Sequence, residues 1–309
     1  MEDLVCHIDS LEDPRVEVYR DIKGRDLAGR GALFILEGEN SIQNLVNYGR
    51  IPLKSVLLSE RRLEPMRPLL KVICAQGVPV YVLKQEVLEA LVGFHFHRGV
   101  LGCGEKLPSL GPREFLSRIE GTGPLIIAEQ MSNLDNVGAL FRNAAAFGAR
   151  AIMFDEKSSD PYYRKSLRVS GGHALAIPFS RTGTIKSIIE AAQAQGLHVI
   201  ALVTPHADCK KIRSLVDYRS ALFSSSKRPI AILLGAEGPG LSKEAMALAD
   251  ACVTIPMAKD VDSLNVATSA AVALFEITAH QSNTLINLAS AATFLLCLGA
   301  SVLLRHNRR

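Results

Sequence analysis

Short β-prone runs alternate with longer amphipathic stretches from Leu33 through most of the 309 residues, and this restricts the chain to an α/β architecture with mostly parallel strands. Four candidate strands, 33–36, 55–58, 79–82 and 99–102, with helical segments between them, make a first unit. Clustered Gly and Pro in Gly104-Glu105-Lys106-Leu107-Pro108-Ser109-Leu110-Gly111-Pro112 then break the pattern and place a domain boundary near residue 108. A second series follows, with strands expected at 125–128, 151–154, 174–178, 198–203, 230–234 and 252–255. Strands in this order read as a doubly wound sheet, in which ligands bind beyond the carboxyl ends of the strands. The division is an N-terminal extension over 1–30, a small α/β domain over 31–107, a linker over 108–123, a larger α/β domain over 124–281 and an apolar tail over 282–309. A chain of this length exceeds one typical domain, which agrees with that division.

A formal charge of +4 permits contact with phosphate without reaching the density of proteins that hold nucleic acid by charge alone. Cys6, Cys74, Cys103, Cys209, Cys252 and Cys297 show no metal-ligand spacing, mostly sit in apolar runs, and read as buried thiols of a reducing compartment. His95 and His97 flank Phe96 without further ligand partners, so no metal site is expected. The acidic N-terminus has no apolar signal core, which implies a cytoplasmic body. By contrast, residues 283–304 carry no charge and precede Arg305 and the basic end of the chain. As a helix they would extend roughly 33 Å, which favours a membrane-inserted tail over a buried or partner-binding helix.

Three segments fall at the carboxyl ends of the second set of strands. The first, Asn136 to Gly148, reads as a helix with Asn136 near its cap and Arg142 six residues on; spacing alone favours a capped helix with a solvated Arg. The second, Leu233 to Ser242, is an apolar strand entering a turn with Gly235, Glu237, Gly238 and Gly240, where backbone can approach a nucleotide-like ligand. Its glycine spacing is neither the dinucleotide fingerprint nor a phosphate-cradling loop. The third, Ile255 to Glu276, is a strand, a polar loop with Ser263 and Asn265, and a helix rich in Ala; Ser263 serves as a helix cap or as a functional group.

In this order and spacing, the three segments resemble the motifs of the SpoU (TrmH-type) 2′-O-ribose RNA methyltransferases of the SPOUT superfamily. The resemblance covers about Pro124 to His280. More weakly, Glu37-Gly38-Glu39, 78–83 and His97-Arg98-Gly99-Val100-Leu101 resemble the smaller RNA-substrate-binding domain ahead of many such enzymes. The resemblance implies a parallel sheet whose C-terminal third forms a trefoil knot, an exception to the usual unknotted connections. It implies S-adenosylmethionine as cofactor, held mainly by backbone at Gly235, Ile255 and Leu264 with Met257 nearby. It implies a homodimer acting on rRNA or tRNA, with Arg142 central to catalysis and Asn136, Glu237, Ser263 and Asn265 organising the site.

A sulfonium methyl group is already activated, so the protein must align the ribose oxygen and help its proton leave. A guanidinium keeps its proton to about pH 12. Arg142 therefore either loses that proton on close packing with RNA, or stays cationic, grips a phosphate and stabilises developing alkoxide charge. Arg20, Lys23, Arg25, Arg30, Arg61, Arg62, His97, Arg98, Arg164, Lys165 and Arg168 are candidate RNA contacts, each also explicable as solvated surface. The alternative functions are a knotted RNA-binding protein without catalysis and a nicotinamide-dependent enzyme. The second is disfavoured by the missing glycine fingerprint after an early strand.

Overall fold

The computed structural model describes residues 4–22, 31–209, 212–218 and 228–279. The first sheet contains β1 (Val5–His7), β2 (Leu33–Glu37), β3 (Leu53–Ser59), β4 (Val80–Leu83) and β5 (Val100–Glu105), in the order β1-β4-β3-β5-β2. Around it lie α1 (Glu39–Tyr48), α2 (Glu60–Leu63), α3 (Arg67–Ala75) and α4 (Gln85–Val92). The strands β1, β4 and β3 run parallel, whereas β5 runs antiparallel to both β2 and β3, so this sheet is mixed rather than mostly parallel. A β-strand alternates its side chains between two faces. Phe34, Leu36, Val56, Leu58, Val80 and Val82 accordingly enter one core, while Ile35, Leu57, Leu83 and Leu101 enter another around Tyr19 and α4.

After α5 (Pro112–Arg118), the second sheet begins with β6 (Leu125–Ala128). It continues through α6 (Leu134–Ala146), β7 (Ala151–Phe154), α7 (Arg164–Val169), β8 (Phe179–Arg181), α8 (Ile185–Ala194), β9 (His198–Leu202) and β10 (Ile212–Ser214). The remaining elements are α9 (215–218), β11 (Ile230–Leu234), α10 (Lys243–Leu248), β12 (Ala251–Thr254) and α11 (266–279). All pairings are parallel, in the order β10-β12-β9-β11-β6-β7-β8. Helices cover both faces, which is why the strands read as continuous apolar runs. Ile126, Ile152, Ile200 and Ile232 face one core, and Leu125, Ala151, Val199 and Ala231 face the other.

Two sequence expectations change here. Residues 174–178 do not form a strand: His173–Leu175 is a 3-10 turn, and the edge strand lies at Phe179–Arg181. Ala174 and Leu175 are buried in a core that also holds Phe34 and Ile42 of the first sheet's domain, and that burial explains their apolar character. Cys209 and Cys252 are joined in a disulfide rather than standing as separate thiols, while Cys74 and Cys103 are buried and free. The two partners are 43 residues apart in sequence and meet only because Cys252 lies on β12 beside β9, the strand that leads to Cys209; no local spacing signals this. Burial pushes the Cys103 thiol up to about 11. Among the described residues no helix is long and apolar enough to cross a membrane. The expected tail helix, 283–304, and Cys297 lie outside them.

The two sheets share a core. Phe34 of β2 stacks on Tyr162 with ring centroids 4.5 Å apart, and Tyr162 meets Phe179 of β8 at 5.0 Å. Lys106 Nζ lies 2.7 Å from Asp160, Asn44 donates to the Gly171 carbonyl at 3.2 Å, and Arg50 donates to the Ala176 carbonyl at 2.7 Å. The buried Glu37 carboxylate, at the end of β2, receives Arg164 at 3.2 Å and Arg168 at 3.6 Å, both from α7.

Candidate active site

A cavity of about 1070 Å³ opens at the carboxyl ends of β9, β11 and β12. Residues 234–243 form one wall, 254–257 and 262–266 another, and 202–208 a third. Gly235, Glu237, Ile255, Met257, Ser263, Leu264 and Asn265 all line it. Asn136 and Arg142 do not; they belong to α6, alongside.

Gly235 follows the buried strand β11, and the chain folds back directly over it. A Cβ there would overlap the backbone of Gly240 and Leu241, so no other residue fits. The turn closes by Gly240 N–H donating to the Ala236 carbonyl at 3.1 Å, with Gly238 and Gly240 at positive φ. From beneath, the buried Glu129 carboxylate accepts the Ser242 N–H at 2.9 Å. Glu129 was not singled out in the sequence, although an acid directly after a wholly apolar strand is a usable signal.

Glu237 draws the three segments together. Asn265 Nδ2 donates to its Oε1 at 2.8 Å and to Asn136 Oδ1 at 3.0 Å, and Asn133 Nδ2 donates to its Oε2 at 3.3 Å. Neighbouring amides hold the Glu237 carboxyl below the usual carboxylate range, Asn136 foremost, then Asn133, with Asn265 contributing less. The buried Asn136 Nδ2 makes no well-formed hydrogen bond, so its effect on the carboxylate is that of a neighbouring dipole. Asn265 also caps α11, its Oδ1 accepting the amides of Ala267 at 2.9 Å and Thr268 at 3.2 Å. Ser263 is thus exposed on the cavity rim and is not the cap of that helix.

The cap of α6 is Asn133, whose side chain accepts the Asp135 N–H at 2.9 Å; Asn136 sits within the first turn and is buried. Six residues of helix leave two side chains about 120° apart around the axis. Asn136 therefore faces Glu237 and Asn265, whereas Arg142 is exposed on the flank toward α7, its Nη1 donating to the Val169 carbonyl at 3.5 Å. The two helices touch at Gly138, where a Cβ would come 2.6 Å from the Ser166 carbonyl oxygen. Lys165 of α7 pairs with Asp135 of α6 at 2.7 Å.

Among the described residues, Asp208, Glu237 and Asp262 line the cavity against one ammonium, Lys243, which pairs with Asp208 at 2.9 Å. Thr254 Oγ1 is buried on the same wall with no partner among the described residues. A roomy cavity whose described lining carries surplus negative charge and a buried hydroxyl suits an organic cation of nucleoside size. The wall from Thr204 to Asp208 was not anticipated, because it follows β9 with no glycine motif. Among the described residues no group of three or more His, Cys, Asp or Glu side chains converges as metal ligands.

The fold and these loops define an α/β cofactor-binding enzyme of the kind that the sequence motifs resemble. Residues 124–275 match the model of the SpoU rRNA Methylase family. An uncharacterized tRNA/rRNA methyltransferase of Mycobacterium bovis is 34% identical over 86% of this chain and 89% of its own length. The 23S rRNA (guanosine-2′-O-)-methyltransferase RlmB of Ralstonia nicotianae is 31% identical over 72% of this chain and 86% of its own. The crystal structure of an AdoMet-bound rRNA methyltransferase from Sinorhizobium meliloti superposes with a TM-score of 0.74 at 23% identity, covering 90% of this chain and 98% of that one. The chain belongs to the SpoU rRNA methylase family.

Proposed function

We propose that this chain transfers a methyl group from S-adenosylmethionine to a ribose 2′-hydroxyl of ribosomal or transfer RNA. The observation that carries this reading is the acid-lined cavity at Gly235, Ile255 and Leu264, joined through Asn265 and Glu237 to the helix that bears Arg142. Family membership supports it, as do the RNA substrates named for the relatives. When bound, S-adenosylmethionine supplies a methyl group activated by its sulfonium.

The roles of the protein's own groups follow from placement. Backbone at Gly235, Ile255 and Leu264, with Met257 beside them, holds the cofactor, while Asp208, Glu237 and Asp262 favour its positive charge. Asn136, Glu237 and Asn265 form a hydrogen-bonded brace, and Ser263 on the rim is free to meet the nucleotide. Arg142, exposed beside this brace, grips a phosphate and stabilises developing charge on the ribose oxygen. Residues 31–107 serve as the RNA-substrate-binding domain and 124–281 as the catalytic domain. The same reading holds that the C-terminal third is threaded as a trefoil knot, as membership of the family implies. It places the enzyme in the cytoplasm, with 283–304 as the segment that would meet a membrane.

The test is to map ribose 2′-O-methylation in total RNA from cells with and without the protein, alongside calorimetry of the purified chain with S-adenosylmethionine and with NAD. Loss of one ribose methylation and binding of S-adenosylmethionine alone are expected. RNA binding with no methyl transfer would instead give the inactive RNA-binding reading.

A homodimer is part of the proposal. On α11, Phe275 is 57% exposed and Val272 39% exposed, and Phe147 at the end of α6 adds its ring 6.2 Å from that of Phe275. An apolar face on the helix that closes the cofactor cavity suits a second copy of this chain. Phe275→Asp is expected to halve the mass measured by light scattering; an unchanged mass would place the dimer contact elsewhere or remove it.

A further inference from the structure

The junction between the two sheets collects more positive charge than its carboxylates balance. Glu37 and Glu39 flank Gly38; Glu37 receives Arg164 and Arg168 from α7, and Glu39 receives Arg62 at 2.6 Å. Arg98 lies across Gly38, its Nη1 3.5 Å from where a Cβ would stand, with no acidic partner among the described residues. Among the described residues two carboxylates thus face four guanidiniums, drawn from both domains. The 94–98 loop and α7 also meet through Arg164, whose guanidinium carbon lies 5.3 Å from the centre of the Phe94 ring.

A carboxylate buried with only 6% of its side chain exposed needs a cation, yet a purely structural pairing needs only one. Here a second guanidinium, Arg168, remains 45% exposed and is held loosely at 3.6 Å, and Arg98 stands in solvent nearby. Arg168 is followed by Val169, the residue whose carbonyl accepts from Arg142. The surplus charge therefore leads from Gly38 along α7 to the proposed catalytic arginine. Guanidiniums fixed in orientation by buried carboxylates suit the forked geometry of phosphodiester oxygens.

We propose that Arg98, Arg164 and Arg168, oriented about Glu37 and Gly38, form a binding site for a backbone phosphodiester of the RNA substrate and so set the register of the target ribose against Arg142. This rests on the RNA-methyltransferase reading. Glu37 is a positioning residue: it touches no substrate and aims two arginines across the domain junction.

The test measures binding of a fluorescein-labelled, mixed-sequence single-stranded oligoribonucleotide to the full chain by anisotropy, between about 50 and 200 mM KCl. Arg98→Ala is expected to weaken binding by about 3- to 10-fold and to reduce the slope of log affinity against log salt by about 0.7 to 1. Arg98→Lys should keep most of the slope, and Arg168→Ala should act like Arg98→Ala. Affinity for S-adenosylmethionine and the unfolding temperature should stay at wild-type values for the Arg98 variants, and Lys186→Ala, on the remote helix α8, should change nothing. Wild-type RNA binding with unaltered affinity and slope in Arg98→Ala and Arg168→Ala would overturn the phosphate site and leave the enzymatic reading standing. A wild-type chain that binds S-adenosylmethionine but no RNA would overturn both.

Discussion

Gly235→Ala is expected to remove S-adenosylmethionine binding and to lower the free energy of unfolding by about 3 kcal/mol or more, the range of severe overpacking. The added Cβ meets the Gly240 and Leu241 backbone, which cannot swing aside as a side chain would. Moving that backbone displaces Ser242 from Glu129 and reshapes the wall that Gly235, Glu237 and Gly240 give to the cavity. Gly238→Ala is the informative contrast. Its Cβ would enter open space, so only the positive φ is penalised, at about 1 to 2 kcal/mol. Calorimetry with the cofactor and urea unfolding of both variants check this. Retention of cofactor affinity by Gly235→Ala would mean that the 235–241 turn is not the cofactor wall.

Arg142→Ala is expected to reduce methyl transfer by about 100-fold to 10,000-fold while changing S-adenosylmethionine affinity less than about twofold. The separation follows from geometry, since Arg142 lies outside the cavity lining on the flank of α6 that faces α7. Arg142→Lys distinguishes the two chemical accounts. A lysine keeps the charge but loses the fork, so partial activity at neutral pH favours a cationic, charge-stabilising role. Turnover at the wild-type level in Arg142→Ala would remove Arg142 from the mechanism.

The regular parts of the fold were legible because burial on both faces writes itself into the sequence as unbroken apolar runs. Leu125–Ala128 and Ile230–Leu234 were placed at their observed limits. The strands Val5–His7 and Ile212–Ser214 were missed: each has three residues, pairs on one side only and is largely unburied, so neither carries an apolar run. The direction of β5 was equally hidden. Val100–Glu105 is reached from α4 through the 93–99 loop, and its antiparallel pairing with β2 and β3 depends on where that loop returns the chain.

At the site, motif order brought Gly235, Glu237, Ile255, Met257, Ser263, Leu264 and Asn265 to one cavity. The different directions of Asn136 and Arg142 were already implicit in their six-residue spacing, although one was buried in the brace and the other left on a flank. The Cys209–Cys252 link and the Thr204–Asp208 wall depend on which strands become neighbours. No local pattern encodes that.

Because Phe34, Tyr162 and Phe179 interlock the two sheets, neither half has a complete interior of its own. Severing the chain near residue 108 would leave Tyr162, Ala174 and Leu175 as a bare apolar surface, and the Asp160 carboxylate without Lys106. The protein is accordingly one thermodynamic body built from two topological ones, expected to melt in a single cooperative transition.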